Sequence, residues 1–243
     1  MLTSFIHKFS APKSYVEMTA KLLPYIASCG LLLLLTGWVW GLAFAPEDAV
    51  QGNSYRIIFL HVPASIFAQA IYLFMSICAV MSVVWRVKLA AYLIKSAASV
   101  GALITFIALF SGSIWGIPTW GTWWQWDARI TSTLILFIMY LGVITLHGSF
   151  SNLEKADRLM SILVIVGLVN IPIIKKSVDW WSTLHQPASI TVSGAPTIDP
   201  SMLYPLFVSI LGMGLVLISL GILSSRLHIL GREKNKKWVQ SYE

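Results

Sequence analysis

The stretch LLPYIASCGLLLLLTGWVWGLAFA, Leu22 to Ala45, contains no charged residue. As an α-helix rising about 1.5 Å per residue, a run of this length crosses the roughly 30 Å hydrocarbon core of a bilayer. Working outward from it, comparable apolar runs recur near Pro63–Trp85, Leu89–Ser111, Ala128–His147, Leu159–Ile174 and Met202–Ser225. Of the 243 residues 57% are hydrophobic and only 11% charged, which leaves no polar segment for a soluble domain. The sequence therefore predicts an all-α integral membrane protein in which residues 1–243 form one six-span domain. The first apolar run follows about twenty mixed, basic residues and is itself long enough to span, so a cleaved secretory leader is not expected.

Charge sets the expected orientation. Placing the amino terminus inside collects Lys8, Lys13, Lys21, Arg86, Lys88, Lys95, Lys155, Arg158, Arg226, Arg232, Lys234, Lys236 and Lys237 on the inner side, thirteen of the 17 basic residues. Only Arg56, Arg129, Lys175 and Lys176 fall outside. The positive-inside rule then predicts both termini in the cytoplasm. The net charge of +7 needs no nucleic acid, because the basic tail suits the anionic lipid of the inner leaflet. Cys29 and Cys78 lie inside expected spans without metal-type spacing and read as small apolar residues. No G-x-x-x-x-G-K-[ST], G-x-S-x-G or H-E-x-x-H motif occurs, so the chain is not expected to be an enzyme or its own ATPase.

The unusual residues collect in the three expected outer loops, roughly Pro46–Val62, Gly112–Asp127 and Lys175–Ser201. His7, His147 and His228 fall on the inner side and read as surface residues. His61 and His185 are both outer, in the related strings HVPASI and HQPASI, each with a proline two residues on that suits the start of a helix. Either histidine alone reads as a hydrogen-bonded interfacial side chain. Two on one side, flanking an aromatic loop, also fit the ligation of an iron from opposite faces.

That loop ends in WGTWWQWDARITS, Trp120 to Ser132. Tryptophans gather at membrane interfaces in any case, but a belt is spread over many spans, and here Trp115, Trp120, Trp123, Trp124 and Trp126 crowd one loop. A helix over Trp120–Asp127 would put Trp120, Trp123, Trp124 and Asp127 on one face. The expectation is a short interfacial helix whose aromatic side takes a flat, partly anionic molecule. Asp127 also reads as the N-cap of the fourth span. Arg129 either snorkels or, like Arg56, offers a guanidinium fork to a carboxylate.

The tryptophan-rich WWD stretch resembles the CcmC family of cytochrome c maturation, and GWVWG at the end of span one, QGNSYRIIFLHVPA from Gln51 and VNIPIIKKSVDWWSTLHQ from Val169 extend the likeness over nearly the whole chain. Larger WWD relatives follow the motif with Asp-Pro and have more spans, whereas this chain reads Asp127-Ala128-Arg129. The resemblance implies binding of haem b at the outer face of the bacterial inner membrane. It implies His61 and His185 as axial ligands and Trp120, Trp123, Trp124, Trp126 and Asp127 as the platform. It further implies delivery to a membrane-anchored haem chaperone, CcmE, within a complex of the transporter-like subunits CcmA and CcmB and the small subunit CcmD. Arg56 and Arg129 as partners of the propionates rest on their charge rather than on the motif. An electron-transfer cytochrome would more often bury its histidines within a bundle, and a small-molecule transporter would carry ionisable residues near the bilayer midplane.

Overall fold

A computed structural model describes residues 11–186 and 194–240. Helix α1, Pro12–Val39, starts on a proline whose missing N–H costs nothing at that position, and continues into a π-helical turn, Trp40–Phe44. A 3-10 turn, Asn53–Ile57, leads into α2, Ile58–Trp85, followed by α3, Lys88–Trp120, and α4, Ala128–Gly148. Helices α5, Leu153–Gly167, and α6, Asn170–Trp180, form one interrupted span. The long α7, Pro200–Arg232, and the short α8, Lys237–Gln240, complete the described chain. Six stretches are long and apolar enough to cross a membrane, as expected, but several run beyond the apolar cores that mark them in sequence.

Helix α3 is the axis of the bundle. It is the most buried of the spans, and its small residues Ala90, Ala98, Gly101 and Ala108 let neighbours pack closely. Gly101 receives the Tyr140 ring, where a Cβ would collide with it, and Tyr140 in turn donates to the Ala68 carbonyl at 2.7 Å. With 33 residues, α3 is about 50 Å long, well beyond the roughly 30 Å of hydrocarbon. A helix of that length extends beyond the hydrocarbon or tilts within it. On the flank, α1 packs along α7 with near contact of backbones: a Cβ at Gly212 would meet the Leu34 backbone, and one at Gly37 the Ser209 backbone. Close approach over small residues is how helices associate where no hydrophobic force distinguishes protein from lipid.

Three expectations are corrected. The short helix over Trp120–Asp127 does not form, because Gly121 adopts φ +73° and ends α3, and Asp127 is already the extended cap of α4. The start of α2 does not lie at Pro63; the helix begins earlier, and Pro63 sits inside it. Pro187, the matching residue after His185, lies outside the described residues. His147 is not a surface residue: it is 6% exposed, with Nε2 3.1 Å from Asp157, whose other oxygen accepts from Arg232 at 2.9 Å. His228 packs edge-on between Tyr92 and His147, and its Nε2 is buried. His7 lies outside the described residues. This cluster ties α3, α4, α5 and α7 together at one end of the bundle. The opposite end carries the candidate site.

Candidate binding site

The last turns of α3 and the segments around them bring together the loops at this end of the bundle. The first loop is shaped by Asp48, whose carboxylate accepts from the Val50 and Gln51 amides, and by Gly52 at φ +57°. This presents Gln51 to α3, where its side-chain oxygen accepts the Trp115 indole N–H at 2.8 Å. Trp115 in turn lies edge-on to His61, with 5.6 Å between ring centroids.

His61 stands one turn into α2 and reaches across to α3. Its Nδ1 is 3.0 Å from the Ala108 carbonyl oxygen and 3.1 Å from the Ser111 hydroxyl. A carbonyl only accepts, so Nδ1 carries the hydrogen and Nε2 keeps a lone pair. The nearest described partner of Nε2 is the Ser65 hydroxyl at a long 3.4 Å. Gly112 makes room for the ring, since a Cβ there would stand 2.8 Å from His61 Cε1.

His185 is built differently. Asp127 Oδ1 accepts the Ile130 amide at 2.8 Å and so caps α4, as expected. Asp127 Oδ2 accepts from the Thr183 hydroxyl at 2.5 Å and from His185 Nδ1 at 2.9 Å. The Thr183 hydroxyl oxygen also accepts the His185 amide at 3.0 Å, a local turn that fixes the ring's approach. Burial tends to raise the Asp127 carboxyl, but the bonds from Thr183, Ile130 and His185 outweigh it and hold the group below the ordinary carboxylate range. Burial lowers the His185 imidazole despite the aspartate beside it. Neutral His185 therefore donates through Nδ1 to an ionised Asp127 and leaves its Nε2 lone pair open. The Trp120 ring lies against it at 4.7 Å between centroids.

The remaining expected residues divide. Trp124 is partly buried between Trp123 and Trp126, and its indole N–H is buried with no hydrogen-bond partner among the described residues. Trp123 and Trp126 are 64% and 72% exposed. Arg129 Nε donates to Ser177 at 3.2 Å, and its two terminal nitrogens make no hydrogen bond among the described residues. Arg56 is committed elsewhere. Its guanidinium donates to the Gly41, Leu42 and Ala45 carbonyls, which the π-helical turn leaves open, and to Asn53. It holds the end of α1 rather than facing the histidines. Gln51, Ala108, Ser111 and Thr183 went unnoticed in sequence; only Thr183, two residues before a histidine, carries a local signal.

The sequence profile of the CcmC family, described as heme exporter protein C, matches residues 5–240. The chain belongs to this family. Heme exporter protein C of Escherichia coli K12 is 44% identical over 234 residues, covering 96% of this chain and 94% of the relative. That of Haemophilus influenzae is 43% identical over 98% of this chain and 96% of its own. The Paracoccus denitrificans member is 37% identical over 92% and 93%. The matched range runs from α1 to α8, and the site described above lies within it.

Proposed function

We propose that the protein holds haem b between His61 and His185 and passes it to the haem chaperone CcmE during cytochrome c maturation. One observation carries this: at one end of one bundle both imidazoles have Nδ1 engaged, while His61 Nε2 meets only the Ser65 hydroxyl at a long 3.4 Å and His185 Nε2 has no hydrogen bond among the described residues. Among the described residues no three His, Cys, Asp or Glu side chains converge on a metal position. Two imidazoles alone suit a metal that brings its own equatorial ligands, as a porphyrin does. The Trp124 N–H and the Arg129 terminal nitrogens supply donors for the propionates, and Trp120 an aromatic edge for the ring. Arg56, held on carbonyls, supports the first loop and so acts on the site indirectly.

The charge distribution supports an orientation with both termini cytoplasmic and the site at the periplasmic face of the bacterial inner membrane. Exposed Trp123 and Trp126 are suited to the interface or to the chaperone's surface. ATP would be used by CcmA and CcmB, with CcmD completing the complex, while this chain binds and presents haem. An absorption spectrum of the protein purified from haem-replete cells tests this. A low-spin, six-coordinate spectrum is expected, converted to five-coordinate or lost in His61→Ala and His185→Ala. A colourless wild-type preparation would sink the proposal.

A further inference from the structure

The two imidazoles have unequal supports. His61 Nδ1 rests on neutral acceptors, the Ala108 carbonyl and the Ser111 hydroxyl, and that hydroxyl already donates to Ile107 at 2.6 Å. His185 Nδ1 rests on an ionised carboxylate that is 5% exposed and is itself fixed by Thr183 and the Ile130 amide. A carboxylate drawing on the Nδ1 proton raises electron density at Nε2 and makes the imidazole a stronger donor to a metal. A backbone carbonyl does this far less.

We infer that His185 is the anchoring ligand, with Asp127 as its positioning residue, and that His61 is the ligand exchanged when the cargo leaves. This deepens the function proposed above and rests on it. In the exchange the bond from His61 Nε2 would break first, its electron pair returning to the imidazole while an incoming imidazole supplies the replacing pair, and the bond from His185 Nε2 would break last as the cargo departs. No oxidant or reductant is needed. The surroundings agree with this division. His61 has a hydroxyl, Ser65, near the freed Nε2 to receive it, whereas His185 is held at its amide, at Nδ1 and against Trp120.

Asp127→Asn separates electronics from folding, because asparagine caps a helix as well as aspartate does. With Oδ1 retained on the Ile130 amide, the new NH2 faces His185 Nδ1 and favours it as an acceptor, which shifts the hydrogen towards Nε2 and weakens ligation. The test uses the full chain in nanodiscs, with His61→Gly and His185→Gly each made with and without Asp127→Asn, and free imidazole as the probe that fills the gap. In His185→Gly, imidazole should restore the six-coordinate spectrum, and adding Asp127→Asn should weaken its binding about tenfold or more. In His61→Gly, the imidazole that fills the His61 position should bind independently of Asp127 to within about threefold, on the variant molecules that retain haem. Asp127→Asn alone should lower haem retention and raise the midpoint potential, which a merely structural role would not do in a chain of unchanged thermal stability. Equal dependence on Asp127 at both positions overturns the inference while leaving bis-histidine binding intact. Absence of haem from the wild type overturns both.

Discussion

Trp38 on α1 donates its indole N–H to the Phe59 carbonyl on α2 at 3.1 Å. Phe59 lies four residues before Pro63, so its carbonyl is the one that the proline leaves without a helical donor. The tryptophan from the neighbouring span fills that vacancy two residues before His61.

A double-mutant cycle follows from this pair. Trp38→Phe should destabilise the protein by about 1–3 kcal/mol, the usual cost of an unpaired buried carbonyl. In a Pro63→Ala background the helix regains its own N–H donor, and the same change should cost about 1 kcal/mol less. Thermal unfolding in detergent measures both. Equal costs in the two backgrounds would show that the bond does not serve the proline.

Gly112→Ala should displace His61 without touching its chemistry. The added methyl would stand 2.8 Å from Cε1, too close for either group to remain in place. Haem retention should fall, with loss of low-spin character, while Gly148→Ala, which meets nothing within 4 Å, should leave the spectrum as it is. An unaltered spectrum in Gly112→Ala would mean that His61 is not held against α3.

The propionate donors can be separated by shape. Arg129→Lys keeps the charge but not the fork, and should weaken haem binding roughly tenfold, about 1.4 kcal/mol. Trp124→Phe removes the N–H together with part of the ring but no charge, and should cost less, about 1 kcal/mol. Neither should change axial coordination. Affinity measured by haem transfer to an acceptor protein decides the order, and a larger loss in Trp124→Phe would move the propionate away from Arg129.

Acid should loosen the third loop before the bundle. Burial, the larger influence on His185, holds its folded imidazole below 6.5, so the unfolded loop binds the proton more readily and stability falls as pH drops through and below that value. The Asp127 carboxylate is depressed below 3.8 and its contribution persists until pH falls lower still. In haem-free protein, the melting temperature of the wild type should therefore decline relative to His185→Gln between pH 7.5 and 5. Parallel curves would place no buried neutral imidazole at 185.

The six spans were legible because uncharged runs such as Leu22–Ala45 have no soluble explanation, and Asp127 was legible as a cap because a short acidic side chain before an apolar run satisfies a free amide. Arg56 misled because its partners are carbonyls of a π-helical turn, which no residue type announces. The Trp120–Asp127 helix was drawn from spacing alone, although Gly121 in the left-handed region was a stop signal within the same string. His147 could not be placed, since Arg232, whose charge completes its pair with Asp157, arrives from a distant part of the chain.

Because α3, at about 50 Å, is longer than the hydrocarbon is thick, the height of the lipid surface around the protein decides how much of the site is wet. A thinner membrane would lift Trp120 and the Asp127–His185 pair further into water, and a thicker one would draw Arg129 and Asp127 towards acyl chains. Mismatch of this kind costs fractions of a kcal/mol per Å, small against folding but comparable with the contacts that grip a cargo. Membrane thickness is in that sense an adjustable part of the grip itself, set by lipid composition rather than by any residue of the chain.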